Sequence, residues 1–432
     1  MRRKIENRLA AWKGKEDGER MPLLLYGARQ VGKTYILKEF GERYFQNMVY
    51  VNLETNPAVA DYFSGDISPA RLFRFLETVA HEEILPGKTL VVLDEVQCCE
   101  RALTSLKYIA EQAPQIHVAA AGSLLGVAVR REQYAFPVGR VESMTLYPLD
   151  FEEFLWAVNE ERLAAEIRRC FGGMEPMPEA LHQRAIELYR YYLIVGGMPA
   201  SANKFVETGK LIHSSDMQHE IMNNYVADMA KYTTPSDTVK IRACFNSIPA
   251  QLAKENTKFQ YKVVQKGGSA SLFGVSIDWL EQSGIVFKAL KVDHGKVPVA
   301  VYADLSSFKL YMVDAGMLVT KAGMPQQTVL TGAESPFMGA VTENYVAQAL
   351  ASNGYPLYYW RSEDTAEVDF VLQIHGEIVP VEVKRGEHTR SRSLDVFRKK
   401  YQPAYAIRFS EKNFGRAGDL LLLPLYAAFC IG

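Results

Sequence analysis

Apolar residues along this chain come in short runs whose spacing shifts from strand-like to helix-like and back. MPLLLYG, residues 21–27, is a brief apolar run closed by glycine and predicts a buried strand. Thr34 to Phe45 then sets Ile36, Leu37 and Phe40 at helical intervals. TLVVLDEVQ (89–97) and IHVAAAGS (116–123) are further strand-like runs that end on polar residues. Asp150 followed by Glu153 reads as a capping box opening the helix FEEFLWAV, and marks the far edge of a first domain.

From about 155 to 325 the pattern is mainly helical. AIELYRYYLIVGG, HEIMNNYVADMAKY and DTVKIRACFNSIPAQLA all carry i, i+3/i+4 apolar spacing. Gly196-Gly197 ahead of Pro199 predicts a break between elements. GVSIDWLEQSGIVFKALKV (274–292) reads as helix, glycine turn and strand, and FKLYMVDAGML (308–318) adds a second strand. A helix leading into a hairpin is how a winged-helix module ends; such a module either enters a DNA groove or serves as a spacer. TENYVAQAL (342–350) then predicts an amphipathic helix with Glu343 at its start, followed by YPLYYWR (355–361). EVDFVLQIHGEIVPVEVKR (367–385) reads as a two-stranded hairpin, and LLLLPLYAAFCIG as a buried terminal strand.

Composition narrows the class. A chain of 432 residues exceeds one ordinary core, so two or three domains are expected. With 48% hydrophobic and 23% charged residues it is globular rather than disordered. The net charge of −1 does not advertise a nucleic-acid binder. Between Lys384 and Arg416, however, ten Lys/Arg stand against three Asp/Glu, which makes either a solvated face or a phosphate track. Lys258, Lys262 and Lys266 form a smaller basic cluster beside the winged-helix candidate. Cys98, Cys99, Cys170, Cys244 and Cys430 lack CxxC pairing, so a reduced cytoplasmic protein without structural zinc is expected. The N-terminal segment lacks the apolar core of a signal peptide, and no window reaches the ~18 apolar residues of a membrane span. A soluble chain with no membrane partner follows.

The candidate chemistry lies at two places. GARQVGKT, residues 27–34, satisfies G-x-x-x-x-G-K-[ST] between a predicted strand and a predicted helix. Gly27, Ala28, Arg29, Gln30, Val31, Gly32, Lys33 and Thr34 are expected to cradle the phosphates of ATP. Lys33 would reach the β- and γ-phosphates, and the Thr34 hydroxyl would ligate Mg²⁺. Asp94 would hold Mg²⁺ through water, with Glu95 as the general base polarising the attacking water. Ser123 is placed to sense the γ-phosphate. Arg140 would contact phosphate from its own or a neighbouring subunit, which admits a homo-oligomer.

The second place is the hairpin. A two-residue turn at His375-Gly376 pairs 374 with 377 and sets Asp369 opposite Glu382. Opposed residues share a face with Cβ atoms about 5 Å apart, and Lys384, two residues on, joins it. Asp369 and Glu382 suit Mg²⁺, and Lys384 suits the positioning of a hydrolytic water. The same set is also an ordinary cross-strand salt-bridge cluster.

GARQVGKT, VYVNLE (49–54), LDEVQ, AGS and GRVESMTLYPLDFEEFL, in this order, resemble prokaryotic AAA+-type ATPases. The subgroup resembled carries a C-terminal domain of unknown function with a restriction-endonuclease-like core, and the likeness spans nearly the whole chain. It implies an α/β protein in three parts. These are a P-loop NTPase domain with an ASCE/AAA+-like parallel sheet (1–155), a helical and winged-helix connector (156–325) and a restriction-endonuclease-like domain (326–432). It implies that Glu343 is the acid supplied by the first helix of a D…(D/E)xK site, with Val368 where a proline often precedes the aspartate. One functional expectation is an Mg-dependent ATPase controlling a DNA-directed nuclease module, with Lys33, Glu95, Glu343, Asp369, Glu382 and Lys384 catalytic. The alternative is an ATP switch that holds nucleic acid or a protein and cuts nothing. A third is a structural interaction protein with a stable partner.

Overall fold

The structure, a computed structural model, describes residues 1–123, 139–254, 257–362, 366–385 and 392–432. Two compact units emerge: Arg2–Tyr147 with Gln282–Gly284, and Pro148–Glu281 with Ile285–Gly432, which also takes Met1.

The first unit is built on one parallel sheet. Its strands are β1 (Leu23–Tyr26), β2 (Asn47–Asn52), β3 (Thr89–Asp94), β4 (His117–Ala121) and β5 (Glu142–Thr145). They lie in the order β2-β3-β4-β1-β5. β3 and β4 are buried along their whole length, as continuous apolar strands of a parallel sheet must be when helices cover both faces. Val49, Val51, Val91, Leu93 and Val118 pack against Leu72, Leu76, Leu103 and Leu106 from the helices Pro69–Ala80 and Glu100–Gln112. Parallel connections bring the carboxyl ends of β1, β3 and β4 to one edge, where open α/β sheets bind ligands. β4 lies between β1 and β3, so the strand ending in Asp94 is not the neighbour of the strand that enters the P-loop.

The second unit holds the helices Glu179–Val195, Leu211–Tyr232 and Pro235–Leu252, where apolar spacing predicts them. Its first sheet contains β6 (Val286–Val292), β7 (Ala303–Met312), β8 (Tyr358–Arg361) and β9 (Glu367–Val368), ordered β7-β6-β8-β9. Its second contains β10 (Phe370–Ile374), β11 (Glu377–Val383), β12 (Ala406–Ser410), β13 (Gly415–Ala417) and β14 (Leu420–Pro424), ordered β10-β11-β12-β14-β13. The hairpin expected of a winged helix is present as β6 and β7. It does not stand alone, because β6 also pairs in parallel with β8. The border expected at 325/326 therefore runs through a shared sheet, whose second pairing covers a strand edge that a free wing would expose. The helix expected over 342–350 runs from Pro336 to Ser352, so Glu343 sits mid-helix rather than at its start. The apolar terminus is a strand only as far as Pro424 and continues as a 3-10 turn, Leu425–Cys430.

Side chains stitch the two halves of this unit. Asn344 accepts from the Met312 N–H at 2.7 Å and donates to the Met312 carbonyl at 3.0 Å. Gln348 accepts from the Ala315 N–H at 3.0 Å and donates to the Tyr192 hydroxyl at 2.8 Å. The break at Gly196-Gly197 is a junction of the same kind. Fully buried Asp314 caps the helix Ala315–Lys321 through the Met317 N–H (2.9 Å) and accepts from the Gly197 N–H (2.5 Å). Gly196 adopts φ 70°, ψ −174°, a conformation essentially confined to glycine.

Two outcomes follow from that junction. A Cβ on Gly196 would lie 2.2 Å from Asp314 Oδ1. Gly196→Ala should cost about 3 kcal/mol, read as a lower urea midpoint at unchanged slope. Burial, partly offset by backbone donors from Gly197, Met317 and Gly316, lifts Asp314 from 3.8 to about 6. The folded state then holds a proton that the unfolded chain has released between pH 4 and 6. Its contribution makes stability fall as pH rises through that window, by about 2–3 kcal/mol. Unfolding free energies of wild type and Asp314→Asn across pH 4–7 should differ by this slope, and parallel curves would contradict the assignment.

Candidate functional site

The P-loop owes its shape to backbone that few side chains tolerate. Gly27 (φ 143°), Gln30 (φ 66°) and Gly32 (φ 95°) all have positive φ. A Cβ on Gly27 would lie 2.2 Å from the Leu146 carbonyl. Such alternation turns successive N–H groups into a concave anion nest, and Gly32 then caps the helix Lys33–Tyr44. Ala28 and Val31 are buried anchors, Arg29 is half-buried and Gln30 is exposed. Arg3 holds the loop from outside, donating to the Val31 carbonyl at 3.1 Å and the Tyr147 carbonyl at 2.6 Å. The Lys33 ammonium donates to the carbonyls of Gly27 and Ala28, each at 2.9 Å. Burial lowers Lys33 to about 8, although Glu95 and Asp94 pull it up. This is a cation desolvated on neutral carbonyls, a fit site for an anionic phosphate.

Asp94 ends β3 and gathers three donors. Its Oδ2 accepts from Thr34 Oγ1 at 2.6 Å and from Tyr50 Oη at 2.9 Å, while its Oδ1 accepts from the Glu95 N–H at 3.0 Å. Glu95 itself has φ 55°, which turns its side chain off the strand axis, and it accepts from Gln97 Nε2 at 2.5 Å. Burial raises its pKa, with Gln97 opposing the shift, and that suits a proton acceptor better than an exposed acid would. Thr34 and Asp94 are thus adjacent, as a hydroxyl and a carboxylate sharing one magnesium require. Ser123 is buried just beyond β4. Arg140 is half-exposed and lies 3.4 Å from Glu111 of its own chain.

At the opposite end of the sequence, the hairpin turn is as predicted. His375 (φ 49°) and Gly376 (φ 83°) form a two-residue turn, and the register pairs Ile374 with Glu377 and Phe370 with Val381. Asp369 falls at a bend before β10, and its Oδ2 accepts from the Val383 N–H at 2.7 Å. Glu382 is buried opposite Arg408 of β12 and pairs with its Nε at 3.0 Å, while Lys384 lies 3.4 Å from its other oxygen. Glu343 accepts from Lys309 at 2.9 Å and from the Tyr311 hydroxyl. Lys309 also meets Glu367 at 2.6 Å, and its side chain is wholly buried. Burial works against the charge on Lys309, but Glu343, Glu367 and Asp369 outweigh it and raise its pKa. Burial and then Glu343 push Asp369 up to about 7, against the pull of Lys309 and Lys384.

Glu343, Asp369, Glu382 and Lys384 therefore gather in one part of the second unit, but each acid already has a protein donor. Among the described residues no three His, Cys, Asp or Glu side chains are grouped to hold a metal ion. Of the two carboxylates expected to share a metal, Asp369 takes the Val383 N–H and Glu382 pairs with Arg408 and Lys384. Sequence reasoning missed Tyr50, Lys309, Tyr311, Glu367 and Arg408. Alternation in FKLYM held a signal, since Lys309 and Tyr311 must share a face opposite Phe308, Leu310 and Met312. Glu367 likewise lies two residues before Asp369. The helix leading into the β6–β7 hairpin, Ala270–Gln282, carries Asp278 and Glu281 but no Lys or Arg, and exposes Leu272 and Val275. Of the basic stretch, Arg385, Arg398 and Arg408 are engaged by Gly332, Asp419 and Glu382, and residues 386–391 lie outside the described residues.

Among the described residues no helix is long and apolar enough to cross a membrane. Residues 19–155 match the family model of an AAA domain. Residues 186–328 and 338–428 match two domains of unknown function, DUF8612 and DUF4143. Two uncharacterised proteins, from Mycobacterium bovis and Mycobacterium tuberculosis, are 34% identical over 79 residues, which is 18% of this chain and 18% of each relative. Among solved structures, a Walker-type ATPase of Pyrococcus abyssi shares 15% identity at TM-score 0.45, over 74% of this chain and 95% of that one. The Aeropyrum pernix ORC2 protein shares 11% at TM-score 0.34, over 79% and 91%. The AAA match, over a parallel sheet with a P-loop after β1 and an acidic pair closing β3, supports an AAA+-type P-loop ATPase domain at residues 19–155.

Proposed function

We propose that this chain is an Mg-dependent ATPase whose nucleotide cycle acts through its C-terminal α/β domain on a bound partner, and that this domain does not cut nucleic acid. The observation that carries the ATPase half is the contact of Thr34 with Asp94 at 2.6 Å beside a Lys33 that donates to the carbonyls of Gly27 and Ala28. Thr34 and Asp94 would hold Mg²⁺, which when bound would offset phosphate charge. The loop amides and Lys33 bind and orient the phosphates. Glu95, desolvated and turned by its left-handed backbone, accepts the proton of the attacking water. Ser123 at the end of β4 would report the γ-phosphate, and Arg140 would serve a phosphate of its own or a neighbouring subunit.

The C-terminal half rests on architecture. A helix (Pro336–Ser352), the strand β8, the hairpin β10–β11, a second helix (Arg392–Tyr401) and the parallel strand β12 follow in the order of a restriction-endonuclease-like core. That each acid of its acidic cluster already has a protein donor favours the non-cutting alternative, with nucleic acid or a protein as partner.

Lys33→Ala should weaken binding of a fluorescent ATP analogue at least tenfold, the loss of a charge-assisted contact in a desolvated site. Glu95→Gln should bind the analogue as wild type does yet hydrolyse ATP about 100-fold more slowly. Steady-state turnover with Mg²⁺ checks both, and unchanged turnover in either variant would remove the ATPase assignment.

A further inference from the structure

Four acids of the C-terminal domain, Glu343, Glu367, Asp369 and Glu382, stand against four cations, Lys309, Arg361, Lys384 and Arg408. Lys309 bridges Glu343 (2.9 Å) and Glu367 (2.6 Å), and Arg361 lies 3.8 Å from the second Glu367 oxygen. Arg408 and Lys384 take the two oxygens of Glu382 at 3.0 and 3.4 Å. Lys309 and Lys384 both act on Asp369, whose Oδ2 already accepts the Val383 N–H. Lys309 has no exposed side-chain surface, and its ammonium also lies 4.8 Å from the centre of the Tyr359 ring. The Tyr311 hydroxyl takes the same Glu343 oxygen.

A divalent cation is held where carboxylates outnumber cations and keep open oxygen lone pairs. Here four acids face four cations, and each acid has at least one fixed partner: Lys309 and Tyr311 for Glu343, Lys309 and Arg361 for Glu367, Arg408 and Lys384 for Glu382, and the Val383 N–H for Asp369. Adding two further positive charges to a cluster whose acids are already matched one for one by cations would leave them uncompensated. We infer that the Lys309 ammonium is a built-in cation that holds Glu343 and Glu367 as a metal would, so that the C-terminal site is closed to divalent metals and serves to lock the hairpin β6–β7 onto the C-terminal domain. The restriction-endonuclease-like reading supplies only the expectation of a metal. The ion-pair geometry stands without it, and without the ATPase assignment. β7 and its Lys309 lie in the stretch matched to one family model, whereas Glu343, Glu367 and Asp369 lie in the next. The lock therefore ties together two segments that sequence families treat as separate.

The test is Mn²⁺ binding by the full chain without nucleotide, followed by the electron paramagnetic resonance of free Mn²⁺. Wild type and Asp369→Asn should bind alike, within twofold; any ion held near the P-loop is common to both. Lys309→Ala should melt about 10 °C lower, the consequence of orphaning buried acids. It should also gain Mn²⁺ affinity at least tenfold, with part of the lost melting temperature restored by Mn²⁺. Adding Asp369→Asn to Lys309→Ala should cancel that gain. Wild-type Mn²⁺ binding that disappears in Asp369→Asn would overturn the inference, as would Mn²⁺-dependent nicking of plasmid DNA lost in the same variant. A folded Lys309→Ala chain with no gain in affinity would overturn it too. Should that variant aggregate, the wild-type and Asp369→Asn comparison decides alone. Failure of ATP turnover in a chain that passes the Mn²⁺ test would remove the ATPase reading and leave this one standing.

Discussion

An ammonium group with no surface exposed to water cannot stay charged unless fixed anions surround it. Lys309 meets that condition through Glu343 and Glu367, and much of the second unit is arranged to satisfy it. Glu343 must face β7, which fixes the rotation of the helix Pro336–Ser352. Asn344 and Gln348, one and five residues further along, then land on Met312 and Ala315. Glu367 must reach the same point, which fixes the two-residue strand β9 beside β8. A salt bridge of this kind adds little net stability over an apolar core, but losing one partner strands a buried charge.

The two buried lysines differ in what holds them. Lys33 is held by two neutral carbonyls, and its proton is loosened by burial. Lys309 is held by two carboxylates, and its proton is tightened. The first is a cation still lacking a full counter-charge, the condition of a group that will receive phosphate. The second lacks nothing. The same residue type thus marks a binding group in one unit and a structural group in the other, and the partners decide which.

Much of the first unit was legible because its signals are local. A glycine-rich loop between a strand and a helix, and two acids closing an apolar run, need only adjacent residues. The capping box at Asp150 and Glu153 is present with both of its hydrogen bonds for the same reason. The turn at His375-Gly376 and its register were also set by local chemistry. What lay beyond reach was long-range. Nothing near Lys309 names Glu343 or Glu367, and Arg408 meets Glu382 only because β12 comes to lie beside β11. Nor could spacing tell that β6 would find β8, which is why a winged-helix connector and a separate domain were the natural expectation. Tyr50 joined Asp94 through the neighbouring of β2 and β3, again a pairing across the sheet.

The parallel pairing of β6 with β8 bears on how the chain is made. β6 ends at Val292, while its partner begins only at Tyr358. On the ribosome, β6 and β7 therefore emerge as a hairpin with one open edge, and the lysine on β7 emerges before its acids. At about 5–20 residues per second, that state lasts several seconds before β8 and β9 arrive. Contacts so distant in sequence also close slowly. Until then Lys309 keeps its water, and its burial waits for Glu343 and Glu367 to be made.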